Sequence, residues 1–236
     1  MIPLSEIEYS AYSQNGEDGI IEFLLRGPPH ERFFIEIGSG NGRQNNTSHL
    51  ADHGWRGVAI DRKKERVAAY NVLAADKGWG SVGICQRATT ALARQLALTF
   101  PEPGLFSLDI DSVDWHIANA MLDAGFRPSI AVVEYNAAFG KKPLSVPYDE
   151  DFRTRAKHIH FGAGLWAWRK LFDRNGYRFV TVESRGVNAF FVRADCPRVR
   201  EVAWLSWTDN DRLAEELGPA EERFAAMADW PLVECA

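Results

Sequence analysis

The sequence is poor in sulfur and has no excess of positive charge. Three cysteines, Cys85, Cys196 and Cys235, are scattered through 236 residues. An odd, unclustered set implies neither a disulfide framework nor a zinc knuckle. Lysine and arginine number 27 against 32 aspartates and glutamates, a net charge of −5. That balance argues against nucleic acid or an anionic membrane as the main partner and leaves a small-molecule substrate open. No apolar run approaches membrane-spanning length, and no N-terminal segment joins a basic start to an apolar core. A soluble, cytoplasmic protein is the expectation; oligomeric state has no signature here. Repeats and low-complexity tracts are also missing.

What is present is ordinary for a globular chain: 46% hydrophobic and 25% charged residues, enough for one sizeable core. Apolar runs alternate with stretches of helical period, the pattern of an α/β layer fold. We read strands at 32–38, 57–61, 80–85, 105–111, 129–136, 178–184 and 188–194. Several are apolar on consecutive residues, as parallel strands covered on both faces should be. Helices are expected over 63–76, 88–100, 114–126 and 164–177, the last two stopping at glycine. Only a short turn around "RGV" separates the last two strands, which should therefore form an antiparallel hairpin. Five parallel-type strands closed by such a hairpin match the Rossmann-like class I methyltransferase fold: a seven-stranded, mostly parallel sheet with strand seven antiparallel. Residues 1–30 read as an N-terminal helical cap or lid and 31–200 as the α/β domain. Residues 201–236 read as its C-terminal helical tail, a surface helix pair.

The stretch "FFIEIGSGNGRQNNTSHL" places Glu36, Gly38, Gly40 and Gly42 at the end of the first strand. A phosphate-binding Walker loop needs Gly-Lys-Ser/Thr, and none follows. A dinucleotide fingerprint needs a third glycine at position 43, which is Arg43. The ligand left is S-adenosylmethionine (SAM), whose loop packs backbone against a nucleoside with no pyrophosphate to anchor. Asp61 closes "GVAID" at the tip of the second strand, where a carboxylate can accept both ribose hydroxyls. Glu36, Asp61, Asp109 and Glu134 all fall near carboxyl ends of strands, where open α/β sheets bind ligands. Clustered carboxylates suit a sulfonium and an ammonium and repel a polyphosphate.

The segments "YSQNGEDGI", "FFIEIGSGNGRQNNTSHL", "GWRGVAID", "FSLDIDSVDW", "VVEYNAAFG" and "SRGVNAFFVR" together resemble the FkbM-like SAM-dependent methyltransferases, many of them attached to natural-product and saccharide pathways. The resemblance implies that Glu36, Gly38, Ser39, Gly40 and Asn46 form the methionine-end loop and that Asp61 takes the ribose. It further implies that Asp109 meets the amino or methyl end, and that Gln14, Asn15 and Asp18 of "SQNGED" lie in a lid over the cofactor. Gly164, in "HFGAGLWAW", departs from the family, which has a small polar residue there.

Methyl transfer is an SN2 displacement that needs an in-line nucleophile at about 3–3.5 Å and often a base. "DIDSVDW" supplies Asp109, Asp111 and Asp114 after strand four; "EYN" supplies Glu134, Tyr135 and Asn136 at the end of strand five. Glu134 and Asn136 should face one side and Tyr135 the other. Base candidates are His158, His160, Asp111 and Glu134, although an "HIH" pair is more often a satisfied loop pair. Asp114 reads as an N-cap rather than a catalytic group. Asp109, Asp111 and Asn136 would be oxygen ligands of the kind Mg²⁺ prefers, yet no resident metal is expected, because Asp109 has SAM's ammonium to meet. Trp166 and Trp168 stand two apart on a helix, so they cannot share one face; one could wall a pocket, but the core is the favoured place for both.

The expected activity is methyl transfer from SAM to a small-molecule hydroxyl, in natural-product or saccharide chemistry. The alternatives are SAM cyclisation to azetidine-2-carboxylate and methylthioadenosine, with SAM as sole substrate, and non-catalytic SAM binding. A nicotinamide oxidoreductase is disfavoured by the glycine spacing.

Overall fold

A computed structural model describes residues 1–26, 30–152, 159–196 and 202–235. Its centre is a seven-stranded sheet: β1 (Phe33–Ile37), β2 (Arg56–Asp61), β3 (Gly80–Cys85), β4 (Leu105–Leu108), β5 (Ile130–Glu134), β6 (Tyr177–Val182) and β7 (Asn188–Arg193). The strand order is β3-β2-β1-β4-β5-β7-β6. β1 to β5 pair in parallel, and β7 enters antiparallel between β5 and β6. The seven strands lie where the sequence placed them, to within a few residues at each end.

Helices cover both faces. They are α1 (Glu17–Leu24), α2 (Ser48–Asp52), α3 (Lys64–Lys77), α4 (Thr90–Thr99), α5 (Asp114–Asp123), α6 (Leu165–Arg174), α7 (Asp211–Leu217) and α8 (Ala220–Ala225). Strand alternation sorts the core into two layers. Ile35, Ile37, Phe106, Leu108, Val133 and Phe191 meet α4, α5 and α6. Phe34, Ala59, Leu105, Val132 and Phe190 meet α1, α2 and α3. Trp168 of α6 is fully buried, and its indole N–H donates to the Glu134 carbonyl at 2.9 Å. Trp166 lies against the same core, 5.4 Å from the Arg169 guanidinium. Gly164 precedes α6, where a Cβ would come within 2.8 Å of the Phe139 Cβ. Close packing accounts for the glycine.

Two short pairings escaped the sequence reading. Ile2–Pro3 pairs in parallel with Val202–Ala203, and Val233–Glu234 pairs antiparallel with Leu144–Ser145. They tie both chain ends to the main body. Among the described residues no helix is long and apolar enough to cross a membrane.

Candidate functional site

The same alternation that builds the core also builds the site. Glu36, Ser107, Glu134 and Asn188 continue the α1/α3 side of their strands, and Asp109 follows on β4. Polar side chains thus replace apolar ones at the tips of adjacent strands.

The loop after β1 is forced close to its neighbours. Gly38 has φ 98°, and a Cβ there would lie 1.5 Å from the Asp109 carbonyl oxygen, so the tips of β1 and β4 touch. Gly40 has φ 58° and nothing within 4 Å of its would-be Cβ. One glycine permits contact within the protein; the other leaves its face open.

Glu36 holds this loop from behind. Its carboxylate accepts from the Asn45 amide at 2.7 Å, the Thr47 hydroxyl at 2.6 Å and the Asn46 main-chain N–H at 2.9 Å. Burial pushes its pKa up to about 7 against those donors. The Asn46 amide continues to Ser107 at 3.1 Å. Asp18 acts similarly at the start of α1, accepting the N–H groups of Ala11, Tyr12 and Ser13 at 2.7–2.9 Å. Glu17 joins this segment to the sheet: its Oε1 accepts from Asn15 at 3.0 Å and from Asn188 at 2.8 Å. Glu36, Asp18 and Asn46 therefore shape the site without lining it.

Two cavities meet at the strand tips. The smaller, about 380 Å³, is walled by Ile60, Ala88, Ile110, Val113 and Phe152, with Asp61, Arg62, Lys63, Arg66, Gln86 and Arg87 at its polar edge. Asp61 is buried and holds its place through main-chain donors: Gly40 N–H to Oδ2 at 3.1 Å and Lys63 N–H to Oδ1 at 2.7 Å. The half-exposed Arg66 reaches the same Oδ2 at 3.5 Å. The larger cavity, about 920 Å³, shares Gly38, Arg66, Asp109 and Asp111 with the smaller one. It adds Gln14, Asn15, Gly40, Gln44, Glu134, Phe161 and Arg185, with α7 as an outer wall. Carboxylates of Asp109, Asp111, Glu134, Asp211, Glu215 and Glu216 outnumber the guanidinium groups of Arg66, Arg185 and Arg212 there.

Asp109, Asp111 and Glu134 present carboxylate oxygens within 4.8 Å of one another. Burial and the neighbouring aspartates push Asp109 up to about 8 and Glu134 well above the ordinary carboxylate range. Asp114 is no N-cap. Its carboxylate accepts from Ile110 and Ser112 N–H, both at 2.8 Å, and braces the turn that carries Asp111. Asp111 has φ 52°, the one non-glycine positive φ among the described residues.

The structure does not bring Tyr135, Asn136 and His160 into this group. Tyr135 is buried on the α5/α6 side, and its hydroxyl donates to the Thr208 carbonyl at 2.7 Å. The Asn136 amide donates to the carbonyls of Ile159 and Phe161 at 2.8 and 3.0 Å, while its oxygen accepts from Ala138 N–H at 3.1 Å. His160 is buried between Phe152 and Trp230, with Nε2 at 3.0 Å from the Pro231 carbonyl. Tyr135 and Asn136 fasten Thr208, Ile159 and Phe161 to the end of β5, His160 joins Pro231 to its own loop, and none of the three lines either cavity. Ser39 is buried beside the loop and lines neither cavity, and Trp166 and Trp168 also stay out of both. His158 lies outside the described residues.

No protein-family profile matches the sequence, and no curated protein matches it. Solved structures do resemble it. A SAM-dependent methyltransferase from Clostridium acetobutylicum ATCC 824 is 14% identical, with TM-score 0.50 over 75% of this chain and 90% of that one. The chain has the class I methyltransferase fold. Magnesium protoporphyrin IX methyltransferase from Synechocystis PCC 6803, solved with SAM, is 15% identical (TM-score 0.48; 75% of this chain, 77% of that one). A SAM-dependent methyltransferase from Geobacter sulfurreducens, in complex with S-adenosylhomocysteine, is 16% identical (TM-score 0.45; 75% and 70%).

Proposed function

We propose that this chain is a SAM-dependent methyltransferase that methylates a small-molecule hydroxyl. The observation that carries this reading is the juxtaposition of Asp61, which lines the apolar-walled cavity, with the open face of Gly40, which lines the larger one, on this fold. SAM bound there supplies a methyl group on a sulfonium, ready for displacement. The residues present fit it. Ile60, Ile110, Val113 and Phe152 offer apolar surface for an adenine, and Asp61 offers acceptor lone pairs for a ribose once the mobile-stemmed Arg66 swings away. Gln14, Asn15 and the Gly38 backbone border the methionine end.

The larger cavity supports transfer to a second molecule. It lies beyond the shared strand tips and has room for an acceptor of natural-product or monosaccharide size. Asp111 and Glu134 line it, and their carboxylates can take an acceptor proton. Cyclisation of SAM would instead want an enclosed pocket with Tyr135 or Asn136 beside the amine. Both those side chains are engaged elsewhere. The FkbM-like motifs belong to the same proposal: "SQNGED", the glycine loop, "DID" and, through Glu134, "VEYN" contribute to the shell described above.

The test is to incubate the pure chain with SAM, with and without pooled sugar and polyketide alcohols, and to identify the nucleoside formed. S-adenosylhomocysteine only in the presence of an acceptor is expected. Methylthioadenosine without any acceptor would overturn the transfer reading in favour of cyclisation.

A further inference from the structure

The larger cavity differs from the smaller one in chemistry as well as size. Among the described residues, only Phe161, Val187 and Leu213 bring apolar side chains to it. The amides of Gln14, Asn15, Asn41, Gln44 and Asn210 join the carboxylates and guanidinium groups already named. An apolar acceptor would cover these groups and leave them without water, which is costly. An acceptor with several hydroxyls can donate to the carboxylates and accept from the amides and guanidinium groups.

One pair in this lining is built in advance. Arg185 Nη1 donates to Asp211 Oδ2 at 3.2 Å, across the gap between the β6–β7 turn and α7. The backbone on both sides is braced. Glu183, fully buried, accepts from the main-chain N–H groups of Arg185, Gly186, Val187 and Asn188. Gly186 has φ 75°, and a Cβ there would lie 1.9 Å from the Asp209 carbonyl oxygen, so the turn touches the segment that leads into α7. Asp211 N–H donates to the Arg185 carbonyl at 3.1 Å, and the buried Arg223 holds the Asp209 carboxylate. A polar pair on so fixed a frame is suited to binding a ligand in one orientation.

We propose that the acceptor is an uncharged polyol with neighbouring hydroxyls, of the saccharide or cyclitol class, and that Arg185 and Asp211 select it. The planar guanidinium donates to one hydroxyl oxygen while the Asp211 carboxylate accepts from the next hydroxyl, an arrangement that a single alcohol cannot complete. The excess of carboxylates over guanidinium groups in the cavity rejects a phosphorylated or carboxylated acceptor. This deepens the methyltransferase reading and rests on it for the reaction.

The experiment titrates the full chain, with and without excess S-adenosylhomocysteine, and reads affinity by saturation-transfer nuclear magnetic resonance. The probes are methyl glucoside, galactoside and mannoside, myo-inositol, the monodeoxy forms of the tightest binder, cyclohexanol, benzyl alcohol and glucose phosphate. A polyol is expected to bind at least about tenfold more tightly than the single alcohols and the phosphate, because a site built to bond hydroxyls rejects analogues that lack them. Arg185→Ala and Asp211→Asn should each weaken that polyol at least about tenfold. The two side chains are 64% and 47% exposed, so both variants should fold. One monodeoxy form should bind the wild type weakly and lose nothing further in the variants, which a general loosening of the cavity would not produce. No polyol binding, single alcohols or the phosphate binding as well as the polyols, or polyol affinity unchanged in both variants overturns the proposal. S-adenosylhomocysteine affinity is measured alongside by calorimetry. Cofactor bound with no preference for polyols removes the polyol class alone; polyol bound by a chain that does not take the cofactor removes the methyltransferase reading alone.

Discussion

The main-chain N–H of Gly40 donates to Oδ2 of Asp61 at 3.1 Å, which links the glycine loop after β1 to the acid that ends β2. One carboxylate thus holds the loop and offers itself to the ligand space. Asp61→Ala removes both roles. Hydrogen bonds to a charged group contribute about 1.5–3 kcal/mol, so SAM affinity should fall roughly 10- to 150-fold. Calorimetry checks this; an affinity within twofold of wild type would place the nucleoside elsewhere.

Gly38 and Gly40 should respond differently to the same methyl group. Gly38→Ala drives a Cβ onto the Asp109 carbonyl at a positive φ, a clash with backbone that cannot relax cheaply. A loss beyond about 4 kcal/mol is expected, enough to prevent folding of a marginally stable chain. Gly40→Ala meets no protein atom and bears only the left-handed backbone strain, roughly 1–2 kcal/mol. It should fold and bind SAM less well, because its methyl group enters the larger cavity. Urea denaturation of the two variants separates them; equal stabilities would contradict the geometry.

Glu17 connects the N-terminal segment to β7 through Asn188 at 2.8 Å. Glu17→Ala leaves the buried Asn188 amide unsatisfied, at a cost of about 1–3 kcal/mol. It also releases Asn15 from the cavity wall. Lower stability together with weaker SAM binding is expected. Loss of stability with full affinity would mean that the segment serves folding alone.

Several buried carboxyls have raised pKa values: Glu36 and Glu183 to about 7, Asp114 to about 6 and Asp109 to about 8. Burial is the first cause in each case. The folded chain therefore holds protons that the unfolded chain releases above its ordinary carboxyl range. Stability must fall as pH rises through that window. The protein should melt several degrees lower at pH 8 than at pH 5.5. Scanning calorimetry at constant ionic strength checks this; a melting temperature that rises over the same interval would contradict it.

The sheet was legible because its strands are apolar on consecutive residues, and the antiparallel last pair because "RGV" leaves room only for a turn. That Gly38, Gly40 and Asp61 meet at the strand tips was legible for a similar reason: strand tips and glycine spacing are local properties. Tyr135, Asn136 and His160 line neither cavity because their side chains bond Thr208, Ile159 and Pro231, partners whose approach no periodicity announces. The tail was read as a surface helix pair, and the helices are there, but α7 also walls the larger cavity. Its one local sign is Asn210, whose side chain caps the helix by accepting from Leu213 N–H at 2.9 Å. That sign gives a start and no location. Arg66 and Arg87 were missed as well. Gln86 and Arg87 follow β3, so the rule that ligands gather beyond strand ends could have found them.

The most direct measurement is a crystal structure of the chain with S-adenosylhomocysteine. The account predicts ribose hydroxyls within hydrogen-bond distance of Asp61, adenine against Ile110 and Phe152, and the homocysteine end beside Gly38 and Asp109. A nucleoside bound away from β1 and β2, or a nicotinamide dinucleotide occupying that crevice in its place, would contradict it.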